Sequence, residues 1–234
     1  LLILAFESSA KSASCALLRD GALLAEYFQN SGQTHSRTLT QMAEDMLRNC
    51  DLTARDVDAV ACAAGPGSFT GVRIGVAAAK GFAWARQLPC CGISTLEAMA
   101  WLLTDRDAIL VPVMDARRSQ VYNAIFEGGE GAPKRLTPDR AIAIEELAAD
   151  LEKLQKTKIF VGDGALLCYN ALEKKLEGLK LLPEHLRWQR ASGVALAAEA
   201  KLSAGEVCDA AALTPNYLRL SQAERERLAR LQGQ

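Results

Sequence analysis

Apolar and polar positions along the chain fall into short runs whose periods predict strands alternating with helices. LLILAF is continuously apolar, the mark of a strand covered on both faces, and ESSAKS after it reads as a turn. SASCALLRD follows as a second strand, Asp20-Gly21 as a tight hairpin turn and ALLAEYFQ as a third strand. With Ser36 placed as an N-cap, apolar residues then recur at Leu39, Met42, Ala43, Met46, Leu47 and Cys50 in the i, i+3, i+4, i+7 spacing of a helix. Arg37, Gln41, Glu44, Asp45 and Arg48 fall on the opposite face. DAVACAAG is the next strand and runs into a glycine-rich loop at Gly65; PCCGI is a further strand, followed by a short helix near 95–103.

Between those last two strands lies GPGSFTGVRIGVAAAKGFAWAR, a loop feeding a helix with almost no polar face. Gly71, Gly75, Ala78, Ala79 and Phe82 share one side, Ile74, Ala77, Gly81 and Ala85 flank the other, and Arg73 and Lys80 share a narrow line with Trp84. A helix apolar nearly all round is expected to be buried nearly all round. Glycines inside it cost about 1 kcal/mol each relative to alanine, so close approach of another backbone is the natural compensation. That backbone belongs either to the chain's own domain or to a second subunit. On the subunit reading, Gly75→Leu leaves a folded chain that no longer pairs.

The second half resembles a repeat of the first. MDARRSQVYNAIFEGG matches FESSAKSASCALLRDG as a strand ending in an acid, a small polar turn, and a second strand ending in an acid and glycine, with Glu7 and Asp115 in equivalent places. EELAADLEKLQ then reads as a helix, KIFVG as a strand, DGALLCYNALEKKL as a helix, LKLLP as a strand, and 191–203 as an alanine-rich helix. GGEGAPKRLTP reads as a loop, Pro215 interrupts the chain before NYLRL, and SQAERERLARLQ reads as a charged terminal helix. This order predicts two tandem α/β domains facing a cleft, 1–103 and 104–234, with the junction at TDRD.

Half of the 234 residues are hydrophobic, enough for a large core, and the net charge is −1 with bases scattered among acids. That balance excludes unaided gripping of nucleic acid; an RNA role requires a partner. Seven cysteines at 15, 50, 62, 90, 91, 168 and 208 stand mostly in apolar surroundings without CxxC spacing, as expected of buried thiols in a reducing cytoplasm. The apolar start is too short for a signal peptide and no run reaches membrane-spanning length, so a cytoplasmic location without membrane association is expected.

GPGSFTGVRIG, the MDARRSQVY segment and PNYLR at 215–219, in that order, resemble the TsaB (YeaZ) family over essentially the whole chain. The resemblance implies the duplicated fold of actin, Hsp70 and acetate kinase. It implies a non-catalytic, dimerising subunit of the bacterial complex that makes threonylcarbamoyladenosine in tRNAs reading codons that begin with adenine. The implied partners are the catalytic paralogue TsaD and the ATPase TsaE, with a homodimer in isolation and tRNA met only through the complex. The first domain's two helices would form the subunit interface, through Leu39, Met42, Met46, Gly71, Val72, Gly75, Val76, Ala78, Ala79 and Phe82. Where the paralogue carries two metal-binding histidines on a short helix, Thr95 and Met99 stand here, and neither replaces an imidazole. No catalytic residue, metal or cofactor is therefore expected. His35 reads as a surface or capping residue and His185 as an exposed helix residue.

The fold's nucleotide cleft leaves two readings open. Glu7, Ser8, Ser9, Gly65, Gly67, Asp115, Gly162, Asp163 and Gly164 are either structural turns or a vestigial cleft that binds ATP weakly. The glycines at 65, 67 and 71 miss the GxGxxG spacing and no Walker lysine follows them. An active phosphotransferase or ATPase would use Glu7 and Asp115 to position magnesium. A glycoprotease would need a metal or an activated nucleophile.

Overall fold

The computed structural model describes residues 1–219 and contains a five-stranded and a seven-stranded sheet whose five-strand main paths share one design. The first half comprises β1 (Leu2–Glu7), β2 (Ala13–Arg19), β3 (Ala22–Gln29), α1 (His35–Asn49), β4 (Ala59–Gly65), α2 (Phe69–Trp84), β5 (Cys90–Ser94) and α3 (Thr95–Trp101). The second comprises β6 (Ile109–Asp115), β7 (Gln120–Asn123), β8 (Phe126–Glu127), β9 (Lys134–Arg135), β10 (Arg140–Ala143), α4 (Ile144–Glu152), β11 (Lys158–Val161), α5 (Ala165–Leu172), β12 (Leu179–Leu181), α6 (Glu184–Arg187) and α7 (Ala191–Ser203). Strand orders β3-β2-β1-β4-β5 and β10-β7-β6-β11-β12 correspond one to one, antiparallel on the left of each centre and parallel on the right.

Both faces of the first sheet are covered, which explains its unbroken apolar runs. Leu2, Leu4 and Phe6 of β1 pack with Leu39 and Met46 of α1 and Val72, Val76 and Ala79 of α2. Ile3 and Ala5 point the other way, onto Val194, Ala195 and Ala198 of α7. α3 joins the halves: Ala98 belongs to the layer under the first sheet, while Leu96 and Met99, with Leu103 just past the helix, pack with Leu110, Phe126 and Val161 of the second. A methyl group on Gly193 would overlap the Ala98 carbonyl oxygen, so glycine is what lets α7 cross α3 this closely.

Several expectations need correction. α1 begins at His35 with Thr34 as its N-cap, so Ser36 lies inside the helix. His35 Nε2 is 2.8 Å from the Ala10 carbonyl oxygen, a tertiary anchor that local spacing does not reveal. The second strand of the repeat breaks after Asn123, so β7 pairs with Val113–Asp115 and β8 with Ile109–Leu110. Pro112 brings no N–H to the ladder, and buried Asn123 fills the gap by donating Nδ2 to the Pro112 and Ala124 carbonyls. The stretch read as a loop holds β9, paired with β8, and β10 was not foreseen. The division at 103/104 separates the sheets but not the chain, because α7 and the segment 208–219 return to the first half. Cys208 pairs with Cys90, and Asn216 N donates to the Ala64 carbonyl at 2.6 Å. The expected terminal helix lies outside the described residues.

Candidate functional site

Two features stand out, a cleft between the sheets and the outer face of α1 and α2. The cleft, about 520 Å3, opens between the turn after β1, the glycine loop, the turn after β6 and the segment 216–219. Of the residues expected there, Ser9, Gly67, Asp115 and Asp163 line it; Glu7, Ser8, Gly65, Gly162 and Gly164 lie behind its wall. The glycine loop is stitched to the first turn: Ser68 N donates to the Ser9 carbonyl at 2.7 Å, and Ser8 Oγ donates to the Gly71 carbonyl at 2.9 Å. A Cβ on Gly67 would stand 2.5 Å from the Ser9 carbonyl oxygen, and one on Gly65 would overlap the Asn216 carbonyl oxygen. These glycines serve close packing within the chain.

Behind that wall Glu7 is 1% exposed; one carboxylate oxygen accepts from Ser9 N at 2.6 Å and the other has no hydrogen-bond partner. Burial raises its carboxyl from an ordinary 4.5 to about 7, with the charge of Asp163 adding to the effect and hydrogen bonds from Ser9 and Ser8 opposing it. Asp163 is raised in the same way to about 6, by burial first and the Asp115 charge second, against a 2.7 Å hydrogen bond from Gln189 Nε2. Asp115 is exposed and accepts from Arg117 N at 2.7 Å. Thr95 is buried with its hydroxyl unpartnered, and Met99 is enclosed in the apolar layer between the sheets.

The outer feature revises the reading of α2. Gly71, Val72, Gly75, Val76 and Ala79 are buried against their own sheet, as are Leu39 and Met46 of α1, so none of them is available to another chain. The backbone that approaches the glycine stripe is the chain's own: a methyl on Gly71 would overlap the Ser8 carbonyl oxygen, and one on Gly75 would stand 2.6 Å from Ser8 Oγ. Met42, Ala78 and Phe82 are half-exposed, Ala77 and Gly81 are exposed, and Trp84 is 67% exposed. Between the helices runs a mostly apolar groove of about 500 Å3, with Leu47, Leu52, Ala77, Ala78, Gly81 and Phe82 in its walls. The two charges of α2 face a strap formed by 208–219: Lys80 Nζ donates to the Ala211 and Leu213 carbonyls, and Arg73 Nε to the Tyr217 hydroxyl at 2.7 Å. Tyr217 in turn stacks on Phe69, with centroids 4.7 Å apart. Pro215 marked the strap's irregularity in sequence, but nothing there linked it to α2.

A family model described as TsaD, tRNA N6-adenosine threonylcarbamoyltransferase, matches residues 23–227. The tRNA threonylcarbamoyladenosine biosynthesis protein TsaB of Bacillus subtilis is 31% identical over 225 residues, covering 96% of each chain. This chain belongs to the TsaB family. The TsaB protein of Escherichia coli is 32% identical across 69% of this chain and 71% of its own. A crystal structure of a Pseudomonas aeruginosa protein described as similar to peptidase YEAZ superposes with a TM-score of 0.80 at 26% identity, covering 93% of this chain and 99% of that one. Component A of (R)-2-hydroxyglutaryl-CoA dehydratase from Acidaminococcus fermentans shares the fold alone, with a TM-score of 0.51 at 14% identity over 86% of this chain and 98% of its own. The duplicated actin-like architecture of this TsaB-family chain is thus common to proteins of quite different sequence.

Proposed function

We propose that this chain is a non-catalytic scaffold in tRNA threonylcarbamoyladenosine formation, pairing with the catalytic paralogue TsaD through the outer face of α1 and α2. The ATPase TsaE joins that pair, and without them the chain forms a homodimer through the same face. The observation that carries the reading is the groove between the helices, left uncovered among the described residues and continuous with exposed Ala77, Gly81 and Trp84. Such an apolar strip on a soluble domain is characteristic of a protein contact. Relatives named for this biosynthesis support the pathway.

Turnover by this chain alone finds less support. Ser68 N at the head of the glycine loop is spent on Ser9, and Asn216 packs over Gly65, so the loop offers a phosphate little of the open amide cradle it would need. For a protease reading, His35 is committed to the Ala10 carbonyl, and burial pushes the Cys15 and Cys168 thiols up to about 12.

Gly81→Arg tests the contact. Space around a Cβ at Gly81 is open, so the variant should fold with a melting temperature no lower than that of the wild type yet run as a monomer by light scattering and fail to co-elute with TsaD. A variant that still dimerises and co-elutes removes this face from the interface. Reconstitution with TsaD, TsaE and tRNA, scored for the modified nucleoside by mass spectrometry with and without this chain, tests the scaffold role itself.

A further inference from the structure

The turn joining β6 and β7 is unusual: Arg117, Arg118 and Ser119 have φ of 62°, 56° and 57°, three successive non-glycine residues in the left-handed region. Each costs on the order of 1 kcal/mol, and such strain is retained where a side chain must be presented in one direction. Arg117 and Arg118 are both exposed, and neither forms an ion pair among the described residues. Lys11 on the facing turn and Arg219 at the end of the strap line the same cleft as Arg117, and Arg219 is held by donating Nη1 to the Ala116 carbonyl at 2.8 Å. They too lack carboxylate partners among the described residues. The strap also brings Tyr217, 40% exposed and stacked on Phe69, to this mouth. The acids that face the site are Asp115, occupied by Arg117 N, and Asp163, occupied by Gln189; both lie along the cleft wall.

We propose that this rim, Lys11, Arg117, Arg118 and Arg219 beside Tyr217, holds a stretch of RNA backbone within the assembled complex. Cations at the mouth with acids in the cleft favour phosphates that run across the opening over a phosphate driven inward, and an exposed aromatic beside them offers a base a stacking surface without sequence preference. Four cations are too few to hold RNA alone, so the contact adds to one made by a partner, in keeping with the net charge of −1. The proposal rests on the scaffold reading above.

The test is the affinity of the reconstituted complex for an unmodified tRNA transcript across a salt series, with wild-type chain and with Arg117→Asn/Arg118→Asn. Asparagine tolerates the left-handed backbone and removes the charge. The double variant should co-elute normally with TsaD, lose roughly tenfold in affinity near 0.1 M salt, and flatten the slope of log K against log salt by about 0.7–0.9 for each phosphate released. Arg117→Lys/Arg118→Lys should keep the slope. Unchanged affinity and slope overturn the proposal, as does failure of the Asn variant to assemble, which would make these arginines a protein contact. Displacement of tRNA by ADP in a one-to-one ratio would overturn it in favour of a nucleotide. A wild-type chain that never assembles with TsaD defeats the scaffold reading itself, a result distinct from an assembled complex indifferent to the arginines.

Discussion

Gly71→Ala is expected to cost about 3 kcal/mol or more and to leave little folded protein, although it adds one methyl group to a helix. The added carbon would overlap the Ser8 carbonyl oxygen, a backbone atom that cannot step aside without moving the turn after β1. Gly75→Ala should cost less, about 1–2 kcal/mol, because it meets Ser8 Oγ at 2.6 Å, a side chain that can rotate away at the loss of its hydrogen bond to the Gly71 carbonyl. Gly75→Leu should fail to fold, contrary to the expectation from spacing alone, since the larger side chain has no space beneath α2. Gly81→Ala, facing open space in the same helix, should be neutral or stabilising by up to about 1 kcal/mol. Urea unfolding of the four variants gives the ranking. Equal stabilities for Gly71→Ala and Gly81→Ala would mean that the stripe does not serve internal packing.

Glu7→Gln is expected to stabilise the protein at pH 8 by on the order of 3 kcal/mol, a rise in melting temperature of roughly 5–10 °C, with almost no effect near pH 4.5. The sign follows from the upward displacement of the Glu7 carboxyl from 4.5 to about 7. The folded state then holds the proton more tightly than the unfolded chain does. The stability so gained is complete below about 4.5 and is lost as pH rises through about 7, when the buried carboxylate must ionise beside Asp163. Asp163 adds a smaller loss of the same sign between 3.8 and about 6. Melting temperatures of both proteins from pH 4.5 to 8 check this. A difference that does not grow with pH would mean that Glu7 is solvated in the ionised state.

Cases such as Glu7 show where local reading of the chain stops. In sequence it is an acid closing an apolar strand, equivalent to Asp115, and that equivalence holds in position: each ends the central strand of its sheet. Their surroundings differ, since Glu7 is roofed by Ser8, Ser9 and the glycine loop, whereas Asp115 lies at the exposed start of the arginine turn. Burial, and with it the protonation of each acid, comes from residues distant in the chain. The strand break after Asn123 likewise involves a residue distant in the chain, Pro112 on the neighbouring strand, whose carbonyl accepts from Asn123 Nδ2.

By itself the sequence determined the order of strands and helices in the first half and most of it in the second, the duplication and the family, because apolar period, turn residues and motif spacing are properties of consecutive residues. It also marked α2 as too apolar for an ordinary surface helix. Only the tertiary structure decided which side of α2 turns inward, that Arg73 and Lys80 fasten a returning strap, and that Lys11, Arg117 and Arg219 line one cleft. Those outcomes depend on the approach of segments far apart along the chain, where a carbonyl oxygen beneath a glycine decides what periodicity leaves open.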